Sequence, residues 1–532
     1  MKKLAAIVLT LMMLTACVSG IAESGDTTVV RIGQSYDPTT LDYAEANLDS
    51  ASFVLAHTSE TLMRVTADGS YECAAAESYD VNEDSTVWTF HLRQGLTYSD
   101  GTTPITADDY YYAATRLIDP AQGHGNASFK WVNADAYYAG TASLEDVGVK
   151  VIDDYTIEYT FVHPAYESSF TTSSMYAPLE QSFVEAAGET FGTSAETYLG
   201  NGPMMVSEWT SDASLTLVRN PYYRDPASIS IDEIDIVTGA DGDVGVDMML
   251  AGELDIAPLK TANQIMTLQD SGASIFTFTN GYYVLNLNPA GKTEESGKFL
   301  SNANFRKALS LAIDRDALHA SVMSSVTPAN RLTASSEFAY SYNPDYVAWP
   351  TTADAATAKE YLQKALDDLG MTADQIPVIE LLCYESQGSI DILSAIQDML
   401  RTNLGIETLI NPQTIQVMIS DAMSGNYDLW LGGNGVSIPD ACDGYLDGFY
   451  SVNYSPLRGY QDPDFDALYL ATVSAPTIEE RMTNFAATEA YFCDQVMNIV
   501  LGWQDASLAI SGSYTGYYAT DTGTLILLSL TK

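Results

Sequence analysis

Only the first stretch of this chain has the hydropathy of a membrane segment, and that stretch is short. Leu4 to Leu14 forms an almost unbroken apolar run behind Lys2 and Lys3. At about 1.5 Å per residue, a helix of that length falls well short of a ~30 Å hydrocarbon core. A positive start followed by a short apolar run reads as a secretory signal peptide over residues 1–16. No later segment reaches the ~18 consecutive apolar residues of a spanning helix. The chain beyond the leader must therefore bury its hydrophobic residues in cores of its own. With 532 residues in total, the length leads to an expectation of roughly three water-soluble domains.

The run ends in Leu14-Thr15-Ala16-Cys17, which resembles the bacterial lipobox. A small residue at 16 fits a peptidase, and the thiol of Cys17 accepts a diacylglyceryl group. The alternative is an ordinary leader with an incidental cysteine. Residues 17–26 are small and polar and read as a lipidated tether. Each buried methylene contributes about 0.8 kcal/mol, so two acyl chains anchor stably. The expected location is extracytoplasmic, on the outer face of the cell membrane, or its periplasmic side where the host has two membranes.

Aspartate and glutamate number 70 against 23 lysines and arginines, a formal charge of −47. Loss of Lys2 and Lys3 with the leader deepens it by two. Such a surface repels nucleic acid, so no nucleic-acid partner is expected. Beyond Cys17 lie Cys73, Cys383, Cys442 and Cys493, with no CxxC pair, which argues against a zinc ribbon or redox motif. The spacing does not choose between bridges and free thiols. The 34 tyrosines offer flat apolar faces with polar tips, suited to packing or to a cavity that holds varied ligands.

Catalytic and metal motifs fail one by one. Gly291-Lys292-Thr293 ends like a phosphate loop, but Asn286 stands where the leading glycine belongs. Asp462-Pro463-Asp464 starts like a calcium loop, but Ala467 and Val473 occupy the positions of its glycine and glutamate. That segment reads as a turn into a helix. The five histidines are scattered, and no GxSxG elbow occurs. No enzyme activity, cofactor or metal is expected.

Strand-like runs at Thr86–Leu92, Val147–Val151, Thr156–Phe161 and Ser214–Val218 alternate with helical patterns. In 354–369 the apolar residues recur at helical spacing, with Asp354 as cap and Gly370 as stop; 389–404 ends at Gly405, and a third helix is expected from Asn304 to about His319. The mixture predicts an α/β fold.

Residues 74–113 carry Ala76-Glu77-Ser78, Thr89-Phe90-His91-Leu92-Arg93, Gly95-Leu96, Ser99-Asp100-Gly101 and Ala107-Asp108-Asp109. This stretch resembles the signature of the bacterial extracellular solute-binding proteins, family 5, which serve oligopeptide and dipeptide ABC importers. The likeness continues through Thr40-Leu41-Asp42, 148–154, Asn201-Gly202-Pro203, Arg219 to Tyr223, Gly252 to Ile256, Arg306 to Leu309, Ala312 to Arg315, and Asn426 to Leu429. It covers nearly the whole mature chain, in order.

The resemblance implies a two-lobe periplasmic-binding-protein-like clamp (type II, cluster C) on a two-strand hinge, with an extra domain in the first lobe. Domain I takes 27–65, 196–275 and 500–532, domain II 66–195, and domain III 276–499. A peptide or other small solute binds between the lobes, and the closed monomer docks on a permease heterodimer served by separate ATPase subunits. The positions matching ligand-binding segments are Asn47, Leu48, Asp49, Trp131, Tyr282, Tyr283, Gly433, Asn434, Gly435, Val436, Ser437 and Asp440. One departure stands out. The family's peptide binders place a carboxylate where this chain has Ser437, to pair the peptide ammonium. Either Asp440, Asp443 or Asp49 takes over, or the ligand has no free amine there. The rivals are the same fold holding a sugar, metal chelate or opine-like compound, a secreted hydrolase, and a peptide-sensing receptor.

Overall fold

The computed structural model describes residues 28–46, 48–122, 130–171, 173–334, 338–435, 445–453, 459–520 and 523–531. Cys17, its tether and the leader lie outside them.

Two long antiparallel strands organise the molecule. Ser274–Leu287 pairs with Asn498–Ile510 from Ser274↔Ile510 to Asn286↔Asn498. At the Ile510 end the ladder continues through Ile256–Leu259 to Val29–Gln34 and Glu233–Thr238, all three parallel, then to Ser214–Arg219 and Met204–Thr210. At the Asn498 end it continues through Leu429–Gly435 to Ile379–Tyr384 and Thr408–Gln413, again mutually parallel. With Val326–Pro328 added beside 502–504, the result is one 11-stranded sheet. Bulges interrupt the long ladder between Thr279 and Gly281 and between Tyr283 and Val284. An extra residue there bends the strand where it leaves one half of the sheet for the other.

Each half buries its own core. Val30, Ile32, Leu215, Leu217, Ile234 and Ile236 pack with helix Asp49–Thr58 in the first. Leu285, Leu381, Leu429 and Ile499 pack with helices Ala355–Leu369 and Gln387–Leu404 in the second. The Asp354 carboxylate accepts the Thr357 N–H at 3.0 Å, and Gly370 takes a left-handed φ of 64° that ends the helix.

A separate antiparallel sheet, in the order Ala76–Val81, Val87–Leu92, Thr156–Thr160, Val149–Asp153, forms the extra domain around an aromatic core. Trp88, Phe90 and Leu92 are buried, whereas Val87, Thr89 and His91 are only half-buried, so this strand has one core face. Away from the long strands this domain touches the second lobe. Tyr166 Oη donates to the Ala475 carbonyl at 2.7 Å, and Arg481 lies over the Tyr166 ring at 5.4 Å.

The helix expected from Asn304 to about His319 is two helices, Ala303–Leu311 and Arg315–Ser321. The Asp314 carboxylate accepts the Ala317 N–H at 2.8 Å and starts the second one. The break lets the buried Arg315 donate to the Val500 carbonyl (2.7 Å) and lie against Trp349 (5.2 Å). Arg306 likewise donates to the carbonyls of Leu300, Ser301, Gln495 and Val496. Both arginines thus tie the helices to the start of a long strand.

Candidate functional site

Strand direction locates the site. In the first lobe Val29–Gln34 and Ile256–Leu259 run toward the crossing of the long strands, because Ile256 pairs with Ile510 and Leu259 with Ser507. In the second lobe Leu429–Gly435 and Ile379–Tyr384 run toward it from the opposite side, since Gly435 pairs with Gly281. The carboxyl ends of both sets of parallel strands therefore meet at the crossing, where open α/β sheets bind ligands.

A cavity of about 990 Å³ opens there. Its wall includes Gln34 and Ser35 at one strand end, Leu259 and Lys260 at another, Leu48 capping helix Asp49–Thr58, Asp49, Ser50 and Phe53 on that helix, and Phe278, Tyr283 and Asp505 on the long strands. This volume suits a ligand of several residues or a drug-sized solute.

The charged groups of the wall other than Asp49 are held by neighbours. Glu60 accepts from Arg224 Nε at 2.9 Å and from Tyr223 Oη. Lys260 pairs with Asp241, which also accepts from Ser35 Oγ. Arg64 pairs with Glu72 at 2.6 Å. Asp505 accepts hydroxyl hydrogen bonds from Thr279 (3.0 Å) and Thr327. Beneath the helix, the fully buried His57 bonds the Phe53 carbonyl through Nδ1 (2.8 Å) and accepts the Leu527 N–H at Nε2 (3.2 Å), which defines a neutral ring. Desolvation lowers its pKa to about 4.

Of the positions expected to bind ligand, Leu48, Asp49 and Tyr283 line the cavity. Tyr282 is 1% exposed and packs in the second lobe against Tyr445, with ring centroids 5.0 Å apart. Trp131 is 2% exposed in the extra domain, beside Tyr159 and Tyr176. Gly433 is exposed and pairs with Tyr283; Asn434 and Gly435 complete its strand opposite Tyr282 and Gly281. Asn47, Val436, Ser437 and Asp440 lie outside the described residues, as do Asp443 and Cys442. Gln34, Ser50, Glu60, Lys260 and Asp505 escaped the sequence reading, although Gln34 and Lys260 sit at strand ends where the binding rule for open sheets points. Among the described residues Cys73, Cys383 and Cys493 are unpaired thiols, no cluster of metal-ligating side chains occurs, and no helix is long and apolar enough to cross a membrane.

Two lobes sharing a pair of crossing strands, with a cavity at the crossing, define a solute-binding clamp. The chain belongs to the bacterial extracellular solute-binding proteins, family 5 Middle, whose profile matches residues 70–456. It is 26% identical over 493 residues to the oligopeptide-binding protein OppA of Bacillus subtilis, covering 90% of this chain and 88% of that one. It is 28% identical over 429 residues to a dipeptide-binding protein of Lactococcus lactis, covering 77% and 74%. Its fold matches the structure of Listeria monocytogenes OppA bound to peptide with a TM-score of 0.73 at 22% identity, over 95% of this chain and 99% of that one.

Proposed function

We propose that this protein is the substrate-binding component of an ABC importer, capturing extracellular peptides between its lobes and delivering them to a permease. The observation that carries the reading is the cavity at the facing strand ends, bounded by strands that pass from one lobe to the other. Contacts with both lobes favour the closed arrangement, and closure is a population shift driven by those contacts. The edge of Leu429–Gly435 supports a peptide in particular. Only Leu429 and Trp430 pair with Ile379–Tyr384, so beyond them that strand edge has no paired strand among the described residues. An extended peptide can add there through backbone hydrogen bonds, leaving its side chains to a roomy cavity. Asn47, Leu48, Asp49, Tyr283 and the 433–437 segment with Asp440 are the proposed contacts, and the protein carries no catalysis of its own. The relatives named above support this reading over a sugar, chelate or opine-like ligand.

Separate cores in the first lobe, the extra domain and the second lobe support a division into domains I, II and III, with Ala113, Ala177, Leu179, Val184 and Phe191 of the 66–195 segment packing in the first lobe's core. Cys17 is proposed to hold the protein, as a monomer, at the membrane face near its permease. Mass spectrometry of ligands released from the purified protein tests the function: a mixture of peptides is expected, and a single non-peptide species refutes the peptide reading. Cys17→Ser should release the protein from membranes; retention there refutes the anchor.

A further inference from the structure

We propose that the cleft selects cationic ligands, with Asp505 receiving a protonated amine; the inference rests on the peptide reading and names the substrate class it favours. The charges of the wall do not balance. Lys260 is matched by Asp241, Arg64 by Glu72, and Glu60 by Arg224. Asp49 and Asp505 also line the cavity, and among the described residues neither has a cationic partner. A ligand that brings positive charge completes the set, and one that brings negative charge meets two uncompensated carboxylates.

Asp505 is the better placed of the two. It is half-buried on a long strand beside the Thr279/Gly281 bulge, whereas Asp49 is exposed. Its oxygens each accept one hydroxyl, from Thr279 and from Thr327. A carboxylate has about four acceptor sites, so both oxygens keep capacity for further donors. The hydroxyls orient the group and leave its charge unmatched, and a charge-assisted bond from an ammonium is about twice as strong as a neutral one.

A second, independent feature points the same way. Gln34 and Ser50 are each 8% exposed and line the same cavity, yet Gln34 Oε1 and Ser50 Oγ have no hydrogen-bond partner among the described residues. Buried acceptors without donors are rare. An ammonium supplies three N–H donors and a peptide backbone supplies more, so this part of the lining suits a donor-rich guest, while the charge preference comes from Asp49 and Asp505. Thr279 and Asp505 belong to the crossing strands and Thr327 to the second lobe. A charge seated on Asp505 is therefore held at the joint between lobes, where binding and closure are coupled. Asp505 thereby supplies the carboxylate that Ser437 does not.

Calorimetric titration of the purified full-length protein, stripped of endogenous ligand, tests this with four probes: penta-alanine, its N-acetylated form, and versions with one lysine or one glutamate. The lysine peptide should bind about tenfold or more tighter than the glutamate peptide, and N-acetylation should weaken binding by a similar factor. Asp505→Asn, whose amide oxygen can accept from one threonine and whose amide NH2 can donate to the other, should shrink the lysine-to-glutamate ratio to less than about threefold. Should that variant fail to fold, the wild-type ranking and its collapse at about 0.5 M salt decide the question. Equal affinity for the charged peptides, or a ratio unchanged in a folded Asp505→Asn, overturns the inference while sparing the peptide reading. Failure of all four to bind overturns both.

Discussion

His57 links the cavity helix to the C-terminal segment, and its burial makes that link sensitive to acid. The neutral ring bonds Phe53 on one side and the Leu527 N–H on the other. Desolvation lowers its pKa from the ordinary 6.5 to about 4, so the unfolded chain holds the proton more tightly than the folded one. The stability that follows is fully present above about pH 6.5 and is lost as pH falls toward 4. At about 1.36 kcal/mol per pKa unit, the loss is about 2 kcal/mol at pH 5 and about 3 kcal/mol below pH 4. Urea unfolding of wild type and His57→Gln at pH 7.5, 6 and 5 isolates this group, because the carboxylates titrate alike in both. The variant should be the less stable protein at pH 7.5, by about 1–3 kcal/mol for its disturbed bonds. The gap should then narrow by about 2 kcal/mol at pH 5. A gap that stays constant across this range refutes the reasoning, since it would mean that His57 titrates alike in the folded and unfolded protein.

Arg331 and Glu489 form an ion pair with both side chains buried, and Glu489 also accepts from the N–H and hydroxyl of Thr333. Glu489→Ala strands the guanidinium and should cost about 3–5 kcal/mol in chemical unfolding; a cost below about 1 kcal/mol would show that water reaches Arg331. Gly502→Ala would place a Cβ 2.4 Å from Val326 Cγ1 and 2.6 Å from the Thr327 carbonyl. It should destabilise by about 1–3 kcal/mol and, by shifting Thr327 off Asp505, weaken the lysine peptide more than the glutamate peptide in the same titration. Tyr166→Phe removes the hydrogen bond to Ala475 between the extra domain and the second lobe. At about 0.5–1.5 kcal/mol it should speed ligand release about two- to tenfold in stopped-flow measurements, with little change in unfolding; an unchanged rate would show that this contact plays no part in holding the lobes together.

Local signals carried much of the fold. Asp354 and Gly370 bracket a helix because a carboxylate cap and a left-handed stop need no tertiary partner. The strand at Val87–Leu92 follows from alternation, but how deeply its second face is covered depends on what packs there. The single helix expected across Ala312–Asp314 failed because periodicity cannot see the cap at Asp314, nor the distant Val500 carbonyl that Arg315 must reach. The site was harder to read. Tyr282 and Tyr283 are neighbours in one strand and point to opposite faces, so only the register shows which one meets the cavity. Asp505 belongs to none of the motifs or strand-like runs of the sequence. Its partners Thr279 and Thr327 are more than a hundred residues away along the chain, beyond the reach of any local pattern.

The joint between the lobes is a hydrogen-bonded ladder two strands wide, not a loose linker. Such a ladder resists sliding and stretching far more than it resists bending at its bulges, so the clamp has essentially one soft coordinate. Guests of different length and sequence would push it along the same path and stop it near the same end point. A permease reading the outer surface would then meet one shape whatever the cargo, and the variety tolerated inside the cleft would stay hidden from the machinery outside it.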